Sequence, residues 1–180
     1  MKSFSTYITE AFEKPYNWRL MSDKDDRVRY MWTTDSGLIY DASATKYLNK
    51  DAWDFNFYAH VPVKKKGKEY TQVTTGETET GDAFRVFATA VSVLKDFIKR
   101  KDPVQFEFTA FKSKEEYLGT KKKTSRASLY KKMVTRFARG VRYTVEYGWG
   151  ERGDTWTFTT TDSRKFDIDK KPVISIGRLR

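Results

Sequence analysis

The sequence predicts an α+β or α/β fold: a mixed, mostly antiparallel sheet with two main helices. Three observations lead there. Short runs alternate apolar and polar residues at 27–34, 53–60, 104–110 and 141–147, the period of half-buried strands. Two longer segments, 82–100 and 125–139, repeat their apolar residues at helical spacing. And 180 residues with 16% aromatics can bury one substantial core, which excludes a disordered chain.

Phe4, Tyr7, Ile8, Ala11 and Phe12 share one helical face, so residues 1–12 read as a short amphipathic helix. Lys14-Pro15 stops it, because a residue before proline disfavours helical geometry. Residues 13–26 are polar and read as a linker; residues 27–180 form the single globular domain. Val28, Tyr30 and Trp32 alternate, Asp35-Ser36-Gly37 supplies a turn, and Leu38–Tyr40 returns as the second arm of a hairpin. Trp53, Phe55, Phe57 and Ala59 mark a strand with an aromatic face. Lys64-Lys65-Lys66-Gly67-Lys68 is a basic turn, and 69–75 a further strand.

Asp82–Arg100 carries Phe84, Phe87, Val91, Leu94 and Ile98 in one stripe, widened by Val86, Ala90, Val93 and Phe97. Asp82 is placed to cap the N-terminus, Lys99–Lys101 to complement the C-terminal dipole, and Pro103 to end the helix. Val104, Phe106, Phe108 and Ala110 alternate as a strand. Leu129, Tyr130, Met133, Val134 and Phe137 give the second helix its buried face, between Ser125 and Gly140. Strands at 141–147 and around Trp156 and Phe158 follow. The strand–helix–strand–helix–strand run over 69–147 implies parallel crossovers.

Composition excludes several chemistries. Without Cys there is no disulfide, thiolate metal site or Cys nucleophile. A single His, His60, excludes a multi-His metal site within one chain and reads as a strand-face residue. No apolar run reaches the ~18 residues of a membrane span, and nothing after Lys2 resembles a secretory signal. Glu77, Glu79 and Asp82 read as a solvated acidic loop, since no calcium-loop spacing accompanies them. No cofactor or metal is expected.

The formal charge of +11 is concentrated. Residues 112–142 hold Lys112, Lys114, Lys121, Lys122, Lys123, Arg126, Lys131, Lys132, Arg136, Arg139 and Arg142 against only Glu115 and Glu116, a net of +9. Such a cluster suits electrostatic, sequence-independent binding of DNA or another polyanion. Helix N-terminal amides beside Lys121–Lys123 add to its attraction for phosphate.

Met1-Lys2-Ser3-Phe4-Ser5-Thr6-Tyr7-Ile8-Thr9-Glu10-Ala11 resembles the capsid targeting sequence of T-even-type bacteriophage internal head proteins. The resemblance implies packaging into the head through a scaffold and cleavage by a prohead protease after Glu10, with Ile8 and Ala11 flanking the cut. It further implies a virion interior and host cytoplasmic location, no membrane, and a non-enzymatic role that includes inhibiting host defence after injection. The run 69–147 also resembles the core of GNAT-type acyltransferases, with Tyr130 at the position of that family's general-acid tyrosine on coenzyme A. This implies acyl transfer from acetyl-CoA as an alternative. The family's phosphate loop is not matched, because Gly76 and Gly81 enclose Glu77 and Glu79. A third reading is an interaction module whose basic helix binds an acidic host protein.

Overall fold

The computed structural model describes residues 14–65, 68–74, 82–111, 134, 143–149 and 153–161. Eight strands form one mixed sheet: β1 (Trp18–Asp23), β2 (Arg27–Thr33), β3 (Ile39–Lys46), β4 (Ala52–Lys65), β5 (Lys68–Thr74), β6 (Gln105–Phe111), β7 (Tyr143–Trp149) and β8 (Gly153–Thr160). Their order is β1-β2-β3-β4-β6-β8-β7, with β5 on the far half of β4. Neighbours run antiparallel except β4 and β6, which are parallel from Ala52↔Gln105 to Phe55↔Phe108.

The expected α+β or α/β layout with two main helices is thereby corrected. The described chain is mostly β, and its one helical element is α1 (Ala83–Lys101). The second expected helix lies outside the described residues apart from Val134, which is helical and buried. Part of the extra strand content comes from the segment read as a linker. Trp18, Leu20 and Ser22 are half-buried while Arg19, Met21 and Asp23 are exposed, and the six-residue strand pairs with β2 as an edge strand through five register pairs, with an irregularity between Leu20 and Ser22. Charges around Asp23-Lys24-Asp25-Asp26 disguise that alternation in the sequence.

The crossover is corrected as well. The strand before α1 does not become the parallel neighbour of β6; β5 folds back on β4, and β4 takes that place. Beyond β6, β8 inserts between β6 and β7 and pairs antiparallel with both.

One face of the sheet is apolar and carries α1. Val28, Tyr30, Trp32, Ala42, Ala44, Phe55, Phe106 and Phe158 are almost wholly buried there. From the helix, Phe97 stands edge-on to Trp53 at 5.3 Å between ring centroids and to Phe106 at 6.2 Å, over the parallel junction. Phe106 stacks on Phe158 at 4.5 Å, which carries the aromatic packing outward to β8. Such pairs add about 0.5–1.5 kcal/mol each beyond the area they bury.

The helix ends follow chemistry only partly visible in the sequence. Asp82 occupies the N-cap position, yet its side chain makes no capping bond. Its carboxylate instead accepts a 2.7 Å hydrogen bond from the Tyr16 hydroxyl. At the other end Asp102 takes a left-handed conformation (φ 44°) and its N–H donates to the Ile98 carbonyl. Gly37 (φ 83°) supplies the left-handed residue that closes the β2–β3 turn.

Candidate nucleic-acid interface

The described residues contain fifteen Lys and Arg against fourteen Asp and Glu, a net of +1. The rest of the chain therefore carries +10 of the total +11. Six cations of the described body are held by carboxylates. Arg29 meets Asp41 at 2.6 Å, Lys46 meets Asp51 at 2.9 Å and Lys50 meets Glu107 at 2.8 Å. Arg85 pairs with Asp35; Arg100 pairs with Asp96 and, at 3.4 Å, with Asp23; Lys101 meets Asp23 at 2.7 Å.

The residues predicted to bind nucleic acid, Lys112, Lys114, Lys121, Lys122, Lys123, Arg126, Lys131, Lys132, Arg136 and Arg139, lie outside the described residues. So do the processing residues Ile8, Glu10 and Ala11, the candidate acid Tyr130, and Glu77 and Glu79. Two described elements bound the basic segment. β6 ends at Phe111 before it and β7 begins at Tyr143 after it. The Tyr143 hydroxyl donates 2.7 Å to the Pro103 carbonyl, and burial pushes its pKa well above the ordinary tyrosine value. That bond ties the start of β7 to the residues just after α1.

The sheet face away from α1 is polar, and it holds side chains that the sequence reading passed over. Asp41 is 4% exposed on β3, and its oxygen Oδ2 takes the Arg29 guanidinium from β2. The contact uses one nitrogen and one oxygen, so Arg29 Nε and Asp41 Oδ1 are buried without hydrogen-bond partners. His60 Nε2 lies 4.0 Å from Asp41 Oδ2, too far for a hydrogen bond. The strand-face reading of His60 agrees with its half-buried place on β4.

A second polar group spans the parallel junction, where Asp54 and Glu107 are register partners. Lys50 and the Tyr47 hydroxyl both donate to Glu107, at 2.8 and 2.9 Å. Asn56 donates to Asp54 at 2.6 Å. Burial raises the Asp54 pKa above the usual carboxylate value, and the Glu107 charge adds to the rise; the Asn56 bond and Lys50 oppose it. Among the described residues no cluster of three or more His, Cys, Asp or Glu could hold a metal. The only signals for these residues in the sequence are single charges inside apolar strands, Asp41 after Tyr40 and Asp54 between Trp53 and Phe55.

Near the chain start, Lys14–Tyr16 is latched to α1. The Tyr16 amide donates 2.8 Å to Thr89 Oγ1, and the Arg85 guanidinium lies 3.9 Å over the Tyr16 ring. Arg85 Nε also donates 3.0 Å to the Lys14 carbonyl. Burial, aided by the Asp82 carboxylate, pushes the Tyr16 pKa up to about 12.

No protein-family model matches the chain, and neither the curated proteins nor the solved structures contain a match to it.

Proposed function

We propose that this chain is a phage-encoded, non-enzymatic protein carried inside the head, which binds nucleic acid electrostatically and acts on host defence after injection. The observation that carries the binding is the segregation of charge. The single stretch 112–142 carries +9 of the chain's +11, and the other residues together net only +2. A chain needing charge only for solubility has no reason to concentrate it so. Packaging rests on the likeness of Met1–Ala11 to capsid targeting sequences.

The test is titration of duplex DNA across salt. With about six phosphate contacts, affinity falls by on the order of 1,000-fold between 50 and 200 mM salt. Replacing Lys121, Lys122 and Lys123 with Ala lowers the log–log slope by about 2.7. A flat salt response, or an unchanged slope in the triple variant, refutes the binding. Micromolar titration of coenzyme A would replace the reading with acyl transfer. Tight capture of an acidic host protein without DNA binding would replace it with an interaction module. Packaging is checked by mass spectrometry of purified virions, where the expected species begins at Ala11. Absence of the protein from virions refutes packaging, and an intact N-terminus refutes the cut.

A further inference from the structure

The long strand β4 outruns its sheet. Its pairing with β3 ends at Ile39↔His60, and its parallel pairing with β6 ends at Phe55↔Phe108. From Val61↔Gln72 to Lys65↔Lys68 it pairs with β5 alone, for five register pairs. Among the described residues this ribbon has no third strand. At about 3.4 Å per residue it projects ~17 Å beyond the last β3 pair.

Its residues fit such a position. Pro62 falls two places past that pair, where β4 has one neighbour left, and proline is tolerated on such edges. Thr71, Gln72 and Val73 on β5 are exposed. A free two-stranded ribbon is marginal in water. This one is rooted in the sheet through Ala59↔Thr74 and His60↔Val73, with Val61 packed against the core. At its far end the register sets Lys64 opposite Glu69 and Lys65 opposite Lys68. Three lysines against one glutamate thus occupy the last two rows of the register.

We infer that the β4–β5 ribbon is a second nucleic-acid contact, an arm that enters the major groove of duplex DNA and brings Lys64, Lys65 and Lys68 to the phosphates. The inference rests on the nucleic-acid reading above and adds a site to it. A two-stranded ribbon, with strands about 4.8 Å apart, fits a groove ~12 Å wide that also admits a helix. Lysines at the end of an arm add phosphate contacts without reading sequence.

Two measurements test it on the full chain. In the first, wild-type protein is acetylated with and without duplex DNA and the lysines are mapped by mass spectrometry. Lys64, Lys65 and Lys68 should be protected several-fold, while Lys95, exposed on α1, keeps its rate. In the second, the variant K64Q/K65Q/K68Q is titrated with duplex DNA. Its salt slope should fall by about 2–3 and its affinity by roughly tenfold or more at physiological salt. If the variant does not fold, protection in the wild type decides alone. DNA binding by the wild type with neither protection nor a changed slope overturns the arm and leaves the 112–142 reading standing. No DNA binding by the wild type overturns both. Protection by polyglutamate but not by DNA overturns the arm in favour of an acidic protein partner.

Discussion

Replacing Tyr16 tests whether the latch at the chain start fastens the first described residues to α1. The Tyr16 ring is 4% exposed, its hydroxyl donates to Asp82, and Arg85 covers its face. Truncating a buried aromatic side chain to Ala forfeits about 3–5 kcal/mol in a closed core. Loss of the Arg85 contact adds about 0.5–1 kcal/mol, and loss of a hydrogen bond to a carboxylate about 1.5. Chain ends relax more readily than a closed core, so the expected cost of Tyr16→Ala is about 3–4 kcal/mol. Tyr16→Phe keeps the ring and the Arg85 contact and should cost only about 1–1.5 kcal/mol. The assay is urea unfolding followed by tryptophan fluorescence, comparing midpoints at a constant slope. The same measurement belongs on a chain beginning at Ala11, because that product keeps Lys14 and Tyr16. A loss below about 1 kcal/mol for Tyr16→Ala would refute the latch, as would equal losses for Ala and Phe.

Other outcomes follow from the same geometry. Phe97→Ala should cost about 3–5 kcal/mol in urea unfolding, since Phe97 is wholly buried over the parallel junction; Phe97→Leu should recover most of it. Asp41→Asn should destabilise by about 1–3 kcal/mol, with Arg29 losing its carboxylate, whereas a loss within 0.5 kcal/mol would mean the pair contributes nothing. Asp54 has a raised pKa when folded, so its contribution is full below the ordinary carboxylate value and is lost as pH rises through the raised one. Asp54→Asn should therefore be at least as stable as wild type at pH 7, with a flatter profile through the acid range. Asp23 behaves oppositely. The hydrogen bond from Lys101 lowers its pKa, so its contribution is present at neutral pH and lost as pH falls through that lowered value. Acid titration of Asp23→Asn should lack that fall.

Local structure was legible where one periodicity dominates. The stripe from Phe84 to Ile98 marks α1 to within a residue of its observed limits, because a face so wide has no strand counterpart. Trp53, Phe55 and Ala59 are buried as their alternation requires. What was not legible is pairing. Nothing in the composition of 69–75 tells whether it turns back on β4 or crosses to lie beside β6, since both present the same alternation. The choice is made by the two-residue separation of Lys65 and Lys68, which allows only an antiparallel return. β1 was hidden because an edge strand needs only Trp18 and Leu20 to be apolar. The polar partners Arg29–Asp41 and Lys50–Glu107 join residues 12 and 57 positions apart, so they appear only once the register is known. The candidate binding residues of 112–142 are legible as charge alone, which carries no geometry.

The four register pairs between β4 and β6 have a kinetic consequence. Strands β1 to β5 pair with sequence neighbours, so the first seventy-odd residues can zip up as successive hairpins during synthesis. The β6–β8–β7 half must be threaded to Ala52–Phe55 across a separation of about fifty residues. Until it arrives, the backbone of Ala52–Phe55 is an open template, able to accept a strand from another nascent chain. Joining the β6–β8–β7 strands to β4 is therefore the step expected to come late, and crowded expression is expected to catch it there.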